Sequence, residues 1–560
     1  MGKFNLVFKA ACAAAACMIF AAGFAEANAA AAQAPRFHAS AVEEKPVLKH
    51  DGAGKNGLRP SAYSVEGSVF SVSGASLPSS YRSKTTDVKD QGVYNTCWAF
   101  SNIATLESFL LKEGRGSYDL SENHLAWWST AEYNSDGKGW LFDDLYYGGY
   151  SMIGAGYLTS WQGAVLEEDC PYDQYFNTLP DDMEGGTMPF NVTGIMYVAN
   201  DIDSVKSAIY KYGAVATSYN SDDNNYNIGK KAYYQSDYDY SSGHAISIIG
   251  WDDNYSKRNF RKIPPKDGAW LVKNSWGEDM CDNGFMWISY YDAMLLDTNT
   301  WGSNVVITSA RRNTGYDRLY QNEIYGATWY TAINDEYDNP FNELTFVNVF
   351  DFDDTHKYLQ KVIFETRNTG VKYTAYYIPV VDGVPDTNRD NWVTLASGRS
   401  SFSGYICVDT GSFRVPAGVG AIGVTMDSGD GYLGASIGVS EWVSDENNVF
   451  MFMSDAKYGE GFVIIGSEVF DIMEVYSWAK DSIGGNIVLK AVASEHCIGD
   501  VTGDGYSTTA DALCILRGSV KLTGFDAEQT INADTNFDGN ITAADSLLVQ
   551  RKAVGLISDY

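Results

Sequence analysis

The pattern of hydrophobic and polar positions predicts a helix early in the chain. After residue 97, apolar residues recur three or four positions apart, at Ala99, Ile103, Leu106 and Leu110. This spacing places them on one face of a helix. We predict a helix from Cys97 to about Glu113 that stops at Gly114. Asn95 or Thr96 is expected to cap its first turn.

Strand patterns follow this helix and dominate the second half of the chain. Two apolar runs, 243–251 and 269–274, indicate strands. From about residue 313 to residue 493, alternating runs such as 372–378 and 421–426 are separated by Asp, Gly and Asn turns. This rhythm is typical of a β-sandwich. From Cys497 onward the sequence contains an internal repeat.

These changes of pattern predict a multidomain chain. At 560 residues it is too long for one hydrophobic core, and about two to four domains are expected. We predict a signal peptide at 1–29, a leader or propeptide at 30–76, a domain of mixed helix and strand at 77–305, the β-sandwich at 313–493 and a small helical module at 497–560.

The N-terminus has the features of a secretory signal peptide. Lys3 and Lys9 supply positive charge, residues 10–24 are small and apolar, and Ala27 and Ala29 frame a cleavage site. A membrane anchor is the weaker alternative, because about 15 apolar residues are fewer than the ~20 that span a bilayer. We therefore expect a secreted, extracellular protein with no membrane span in the mature chain.

Charge and cysteine content narrow the possible functions. The formal net charge of −31 disfavours nucleic acid as a partner, because nucleic-acid binding needs a basic face. The acidic residues are expected on a solvated surface and, in part, in calcium loops. Cys12 and Cys17 leave with the signal peptide. The other six cysteines form neither a close-set disulfide framework nor a Cys-x-x-Cys zinc pattern.

Cys97 carries the strongest chemical signal. It lies at the start of the predicted helix, where the macrodipole favours a thiolate and lowers the thiol pKa. Gln91, six residues earlier, can join the Cys97 backbone N–H in an oxyanion hole. His244 opens one predicted strand and Asn274 ends the other. The Asn274 amide can orient the imidazole, and Trp276 can shield that hydrogen bond from water.

The chain resembles the papain-like cysteine peptidases. The matching segments, in family order, are 91–101, 120–125, 148–150, 243–251 and 274–277. The resemblance implies an α+β fold of two lobes with the active site in the cleft between them. It implies Cys97 as the nucleophile and His244 as the base. Asn274 is then the residue that orients the base, and Gln91 belongs to the oxyanion hole. No cofactor is expected for catalysis.

The same resemblance implies a substrate-binding segment. Gly148 and Gly149 would pair with an extended substrate backbone, Tyr150 would line the neighbouring pocket, and Trp276 is also expected to take part in substrate binding. Three departures from the family are visible. Tyr94 stands where a cysteine often precedes the nucleophile, so the usual disulfide cannot form there. Gly243 replaces an acidic residue common before the histidine, and the leader lacks a long helical inhibitory pattern.

Two other readings of the peptidase-like region stay open. One is a catalytically inert papain-like protein that binds partners or associates with a scaffold. The other is a papain-fold transferase such as a transglutaminase, although that class usually carries Asp in place of Asn274. The presence of all four catalytic residue types favours a cysteine endopeptidase that hydrolyses protein and peptide substrates.

The repeat after Cys497 contains two acidic loops, 500–511 and 534–545. Oxygen-bearing side chains fall at positions 1, 3, 5, 9 and 12 and glycine at position 6, which is the spacing of an EF-hand calcium loop. The predicted ligands are Asp500, Thr502, Asp504, Tyr506 and Asp511, then Asp534, Asn536, Asp538, Asn540 and Asp545, with Tyr506 and Asn540 at position 7 of their loops. Helices are predicted at 512–517 and 546–553, and none before either loop. Acidic turns without metal are the alternative.

The C-terminal module resembles a type I-like dockerin. The resemblance implies two Ca²⁺ ions and binding to a cohesin module of a cell-surface scaffoldin in a cellulosome, a polysaccharide catabolic complex. Thr502 replaces a more usual Asn or Asp, so the first loop is expected to bind calcium more weakly. The sandwich at 313–493 resembles a lectin-like domain that follows some bacterial papain-like domains. A structural role and carbohydrate or peptide binding are both open for it.

Overall fold

The structure is a computed structural model. It describes residues 59–63, 69–71, 76–129, 139–142, 148–172, 186–240, 242–298, 303–327, 329–334, 340–367, 369–429, 436–440, 443–444, 450–453, 456–475, 485–557 and 559–560. The predicted signal peptide and most of the predicted leader lie outside the described residues. Within the described ranges, every helix is too short or too polar to cross a membrane.

The described helices are α1 (Cys97–Glu113), α2 (Glu122–Trp128), α3 (Ser151–Thr159), α4 (Ile202–Tyr212), α5 (Ile472–Val475), α6 (Thr509–Ser519), α7 (Ala527–Ala533) and α8 (Ala543–Ala553). Single 3-10 turns occupy Asp223–Asn225, Lys257–Asn259 and Arg389–Asn391.

The strands up to residue 320 are β1 (Arg59–Tyr63), β2 (Ser80–Arg82), β3 (Gly139–Phe142), β4 (Phe190–Val198), β5 (Val215–Asn220), β6 (Tyr226–Asn227), β7 (Ala232–Tyr233), β8 (Gly243–Asp252), β9 (Ala269–Lys273), β10 (Phe285–Ser289), β11 (Asn304–Arg312) and β12 (Asp317–Tyr320). The later strands are β13 (Trp329–Asn334), β14 (Glu343–Phe352), β15 (Tyr358–Thr366), β16 (Lys372–Val381), β17 (Val384–Pro385), β18 (Val393–Arg399), β19 (Ser403–Arg414), β20 (Gly418–Asp427), β21 (Ser436–Ser440), β22 (Val443–Ser444), β23 (Phe450–Met453), β24 (Gly461–Ile465), β25 (Glu468–Asp471), β26 (Asn486–Ile487) and β27 (Leu489–Ser494).

Helix α1 has the two ends expected from the apolar spacing. Gly114 ends it in the left-handed region at φ 75°, and the Arg115 N–H returns to the Leu110 carbonyl at 2.9 Å. The cap at its start differs from the prediction. Thr96 occupies the N-cap position without capping, because its hydroxyl is hydrogen-bonded to the Tyr172 hydroxyl at 2.7 Å. The first N–H groups of the helix therefore have no side-chain cap.

One sheet of 13 strands runs through both halves of the chain. Its order is β12-β27-β15-β19-β4-β11-β5-β8-β9-β10-β7-β6, with β2 paired to β8. The two strands expected around residues 243–251 and 269–274 are β8 and β9, which are antiparallel neighbours. Strands β4 and β19 join the two halves, with Met196 opposite Gly404. The first domain and the sandwich therefore share one backbone hydrogen-bond ladder.

The sandwich is completed by a second sheet, of order β17-β16-β20-β14-β24-β25, with β18 on β16. The runs predicted at 372–378 and 421–426 lie in β16 and β20, which pair with each other. A hydrophobic core fills the space between this sheet and strands β12, β15, β19 and β27. This core contains several large aromatic side chains, among them Phe346, Phe352 and Phe364.

A buried ion pair ties the sandwich to helix α3. The Lys490 ammonium on β27 lies 2.6 Å from a Glu323 carboxylate oxygen, and both side chains are 0% exposed. The same ammonium donates to the Gln321 side-chain oxygen at 2.8 Å and to the Ser160 hydroxyl at 3.1 Å. Ser160 is the C-cap of α3, the helix end at which a cation is favoured.

The C-terminal module corrects two details of the sequence prediction. Helices α6 and α8 begin three residues before the predicted positions 512 and 546. Thr508 with Asp511, and Thr542 with Asp545, form reciprocal caps that fix these starts. The expectation that no helix precedes either loop is wrong for the second loop. Helix α7 ends directly before that loop.

Candidate active site and calcium loops

Cys97 begins α1 with its thiol near backbone N–H groups. Burial raises the pKa of this thiol above its ordinary value, although the N–H groups of Ala245, Trp98 and Cys97 itself act in the opposite direction. The N–H groups at the helix start lower the thiol pKa, as the sequence predicts. Burial has the larger effect, however, so the pKa is raised overall. A base has to take the thiol proton.

Strands β8 and β9 bring His244 and Asn274 together. Ser247 is paired with Lys273, and continuing this antiparallel register brings the start of β8 beside the residues after β9. His244 Nε2 and Asn274 Oδ1 are 2.7 Å apart. Because the amide oxygen accepts only, Nε2 carries the proton and Nδ1 is the basic nitrogen of the neutral ring.

The surroundings of the imidazole keep it neutral. The Trp276 ring stacks on His244, with centroids 4.4 Å apart and planes inclined by 24°. Burial lowers the pKa of His244 to about 4, against the opposing effect of the Asn274 hydrogen bond. At neutral pH the ring is therefore in the form that accepts a proton.

Gln91 is held by the segment that follows Asn274. Its Oε1 accepts a hydrogen bond from the Ser275 hydroxyl at 2.7 Å, and its backbone N–H donates to the Ser275 carbonyl at 2.9 Å. Its Nε2 donates to the Tyr94 carbonyl at 2.7 Å, just before α1. These contacts fix which end of the amide is the donor and aim it toward the helix start. Sequence reasoning missed Ser275, although it directly follows Asn274.

Gly148 and Gly149 lie beside the start of α1. A Cβ on Gly149 would come within 2.7 Å of the Trp98 ring, so only glycine fits against that side chain. Gly148 has φ 78° and lies against Asn95. Tyr150 follows as the N-cap residue of α3. The predicted substrate-binding segment is thus adjacent to the helix that carries Cys97.

The first acidic loop gathers three carboxylates. One oxygen each of Asp500, Asp504 and Asp511 lie within 4.8 Å of one another. Asp500 also accepts the N–H groups of Gly503 and Gly505, at 2.6 and 2.8 Å, so the backbone curls around its side chain. The donors are hard oxygen atoms, the ligand type that calcium prefers.

The second acidic loop has the same course. Asp534 accepts the N–H groups of Asp538 and Gly539, at 3.1 and 2.9 Å. Asp545 accepts the N–H groups of Thr535 and Asn536, at 3.0 and 3.2 Å, as Asp511 accepts those of the matching residues in the first loop. The second loop therefore curves as the first does and offers the same hard oxygen donors, although within the described residues only the first loop gathers three carboxylates within 4.8 Å of one another.

Comparisons with known proteins assign two regions of the chain to known families. The model of the papain family cysteine proteases matches residues 78–301, and that of the dockerin type I domain matches residues 498–552. The solved structure of the clostridial cysteine protease Cwp84 after propeptide cleavage is 37% identical, with a TM-score of 0.65. The match covers 73% of this chain and 97% of that one.

The chain belongs to the papain family of cysteine proteases.

The relatives differ in how much of the chain they match. The structure of the cysteine protease and lectin-like domains of Cwp84, a surface layer associated protein of Clostridium difficile, is 36% identical with a TM-score of 0.66. It covers 77% of this chain and 90% of that one. A viral cathepsin of Heliothis zea nuclear polyhedrosis virus is 28% identical over 204 residues, 36% of this chain and 49% of the relative. The chain spans about half the length of the curated relatives that it matches first.

These findings confirm the predicted fold class. The chain combines a papain-like α+β domain, a β-sandwich like the lectin-like domain of Cwp84 and a helical dockerin module. The residue assignments within the papain-like domain and the dockerin loops stay predictions.

One side chain near the papain-family site was not expected from the sequence. Cys281 has φ 56°, a left-handed conformation that is uncommon for cysteine. Burial raises the pKa of its thiol, and the side chains of Tyr226 and Asn274 act in the opposite direction. Within the described residues, Asn274 Nδ2 has no hydrogen-bond partner of ordinary geometry. The sulfur of Cys281 is thus next to the amide that orients His244.

Proposed function

We propose that this chain is a secreted cysteine endopeptidase that hydrolyses peptide bonds through Cys97, His244 and Asn274. The observation that carries the proposal is the 2.7 Å contact between His244 Nε2 and Asn274 Oδ1. It leaves Nδ1 as the basic nitrogen of His244, and the N–H of the next residue, Ala245, interacts with the Cys97 thiol. A nucleophile, a base and a residue that orients the base are the parts that acyl transfer needs.

The proposed reaction begins with transfer of the Cys97 thiol proton to His244 Nδ1. The thiolate attacks the scissile carbonyl, and the resulting oxyanion is stabilised by the Gln91 amide and the Cys97 backbone N–H. His244 then protonates the leaving amine. Water, deprotonated by His244, hydrolyses the thioester and restores the thiol.

Substrate binding is proposed along the cleft beside α1. Gly148 and Gly149 lie against Asn95 and Trp98, at the start of the helix that carries Cys97. An extended peptide can pair with this segment through main-chain hydrogen bonds. Tyr150 would line the pocket beside it, and Trp276 would border the other side while covering the His244–Asn274 hydrogen bond.

The dockerin supports a location outside the cell. A type I dockerin binds a cohesin, so we propose attachment to a scaffold protein at the cell surface. The similarity to Cwp84, described as a surface layer associated protein, supports the same location. The signal peptide predicted at 1–29 would supply export.

A thiol-directed epoxide tests the peptidase proposal. The protein has six free thiols in its described part: Cys97, Cys170, Cys281, Cys407, Cys497 and Cys514. We expect irreversible labelling of Cys97 alone, mapped by mass spectrometry, together with loss of peptide hydrolysis. Labelling confined to other thiols, or hydrolysis that persists after full labelling of Cys97, would contradict the proposal. Transfer of acyl groups to added amines in excess of hydrolysis would indicate a transferase instead.

Two calcium ions are proposed in the dockerin, one in each loop. Asp500→Ala and Asp534→Ala are each expected to remove one ion and to lower the helix content of the module, because metal binding and folding are coupled in such loops. Titration calorimetry counts the ions and far-ultraviolet circular dichroism follows the helices. Asp390→Ala, at an exposed position of the sandwich, is the matched control. Two ions bound by either loop variant would be the contrary result.

A further inference from the structure

The dockerin follows the sandwich without a spacer. Strand β27 ends at Ser494, and the next N–H, of Glu495, donates to the Tyr316 carbonyl at 2.9 Å. His496 lies edge-on to the Tyr316 ring with centroids 4.7 Å apart, and its carbonyl accepts a hydrogen bond from Gln360 at 2.6 Å. Every residue of this connection is therefore fixed to the body, by which we mean the papain-like domain and the sandwich together.

A buried carboxylate joins the end of the dockerin to the body. The Asp559 side chain is 0% exposed and lies 2.9 Å from the Lys361 ammonium, 3.5 Å from the Arg311 guanidinium and 3.3 Å from the Lys552 ammonium. Its carbonyl accepts a hydrogen bond from Arg115. Burial would raise the pKa of Asp559, but these cations outweigh that effect and hold it well below its usual range.

Two tyrosines extend this contact to the first calcium loop. The Tyr560 carbonyl accepts the Arg312 N–H at 3.0 Å, and the Tyr560 hydroxyl is hydrogen-bonded to the hydroxyl of Ser507 in the loop. Tyr506, one residue earlier, lies on Gly411 of β19. A Cβ at Gly411 would come within 2.3 Å of the tyrosine ring. The calcium loop, the last two residues and the body thus meet at one joint.

We propose that the dockerin and the body form one calcium-dependent folding unit, closed by the Asp559–Tyr560 segment. The proposal rests on the calcium binding proposed above. An ion that binds only the folded loop stabilises whatever folds together with that loop. Because the loop contacts β19 and the last residues contact β11 and β15, calcium stabilises the sheet that the sandwich shares with the papain-like domain.

The joint also fixes the orientation of the module. Leu513 and Leu516 on α6 and Leu547 on α8 are 56%, 38% and 55% exposed, so these apolar side chains are left on the outer face. A protein partner bound to that face would therefore have a fixed orientation relative to the catalytic cleft. A flexible linker between dockerin and body would leave that orientation free.

Hydrogen exchange of the full-length chain tests the joint. Its readouts are the Arg312 amide, which donates to Tyr560, and the amides of β19 from residue 407 to residue 414. With calcium we expect strong protection at both places. After chelation we expect a loss of about tenfold or more at both, in parallel with the dockerin helices.

Two variants separate the joint from calcium binding itself. Asp559→Asn keeps both loops but removes the carboxylate that the buried Arg311 and Lys361 share with the partly exposed Lys552, and about a hundredfold loss of protection at Arg312 is expected with calcium present. Tyr506→Ala removes a half-exposed ring from Gly411 but keeps the backbone carbonyl, the group by which position 7 of such a loop binds calcium, and a smaller loss confined to residues 407–414 is expected. Glu343→Gln, which removes an exposed ion pair with Arg389, is the control and should change neither.

Calorimetry on the same proteins distinguishes the possible failures. If the wild-type chain binds calcium but the protection of β19 and Arg312 does not change, the proposed joint is wrong. It is also wrong if the Asp559→Asn protein shows wild-type protection. If the wild-type chain binds no calcium, the calcium proposal is wrong. The contact of Asp559 with the body is tested separately, and wild-type amide protection in the Asp559→Asn protein would show that it does not stabilise the joint.

Discussion

Cys97→Ser is expected to lower kcat/KM for peptide hydrolysis by about 10⁴-fold or more. A serine hydroxyl is a far weaker acid than a thiol, so transfer of its proton to His244 is much less favourable. The serine variant therefore forms the attacking anion far less readily than the wild-type protein does. Substrate binding uses other groups, so KM should change little.

The matched control for this variant is Cys514→Ser. Cys514 is also a half-buried free thiol, but it lies on α6 of the dockerin, away from the cleft. We expect wild-type kcat/KM from it under the same assay. Steady-state kinetics on a fluorogenic peptide, with circular dichroism to verify folding, make the comparison. Substantial hydrolysis by Cys97→Ser would show that another group is the nucleophile.

Lys490→Met is expected to destabilise the protein by about 3–5 kcal/mol. The replacement leaves the Glu323 carboxylate buried without its cation, and it also removes the donor to Ser160 at the end of α3. The unpaired charge has no route to solvent, because both side chains are fully buried. The effect should appear in thermal and denaturant unfolding of the intact chain.

Two further variants decide whether this loss comes from the unpaired charge. Glu323→Gln together with Lys490→Met removes both charges and should recover part of the loss, because no uncompensated ion is left. Lys372→Met breaks an exposed pair with Asp427 and should cost at most about 1 kcal/mol. A Lys490→Met protein as stable as Lys372→Met would contradict the expectation.

The sequence predicted the local elements of the site well. The apolar spacing after residue 97 gave both ends of α1, because a helix face and a C-terminal glycine are short-range features. Strand β8, which carries His244, and strand β9, which ends one residue before Asn274, were also expected, since continuous apolar runs mark buried strands. Helices α6 and α8 of the dockerin begin three residues before their predicted starts, because Thr508 and Thr542 cap them reciprocally with Asp511 and Asp545.

The electrostatics of the site were harder to predict. A helix start favours a thiolate, and this effect is present at Cys97 in the form of the nearby N–H groups. Burial outweighs it, and burial depends on elements distant in sequence, such as β8. The same holds for Ser275, whose contact with Gln91 joins residues 184 positions apart. Neither interaction has a signature in the local pattern.

By itself, the sequence determined the identity and order of the chemical groups. Cys97, His244, Asn274 and the acidic loops are recognisable because each depends on a few neighbouring positions. Only the tertiary structure decided how these parts are joined. The β4–β19 pairing, the Lys490–Glu323 pair and the burial of Asp559 all connect residues more than 150 positions apart. Such contacts depend on which surfaces meet when the chain collapses, and side chains that meet in this way share no periodicity along the sequence.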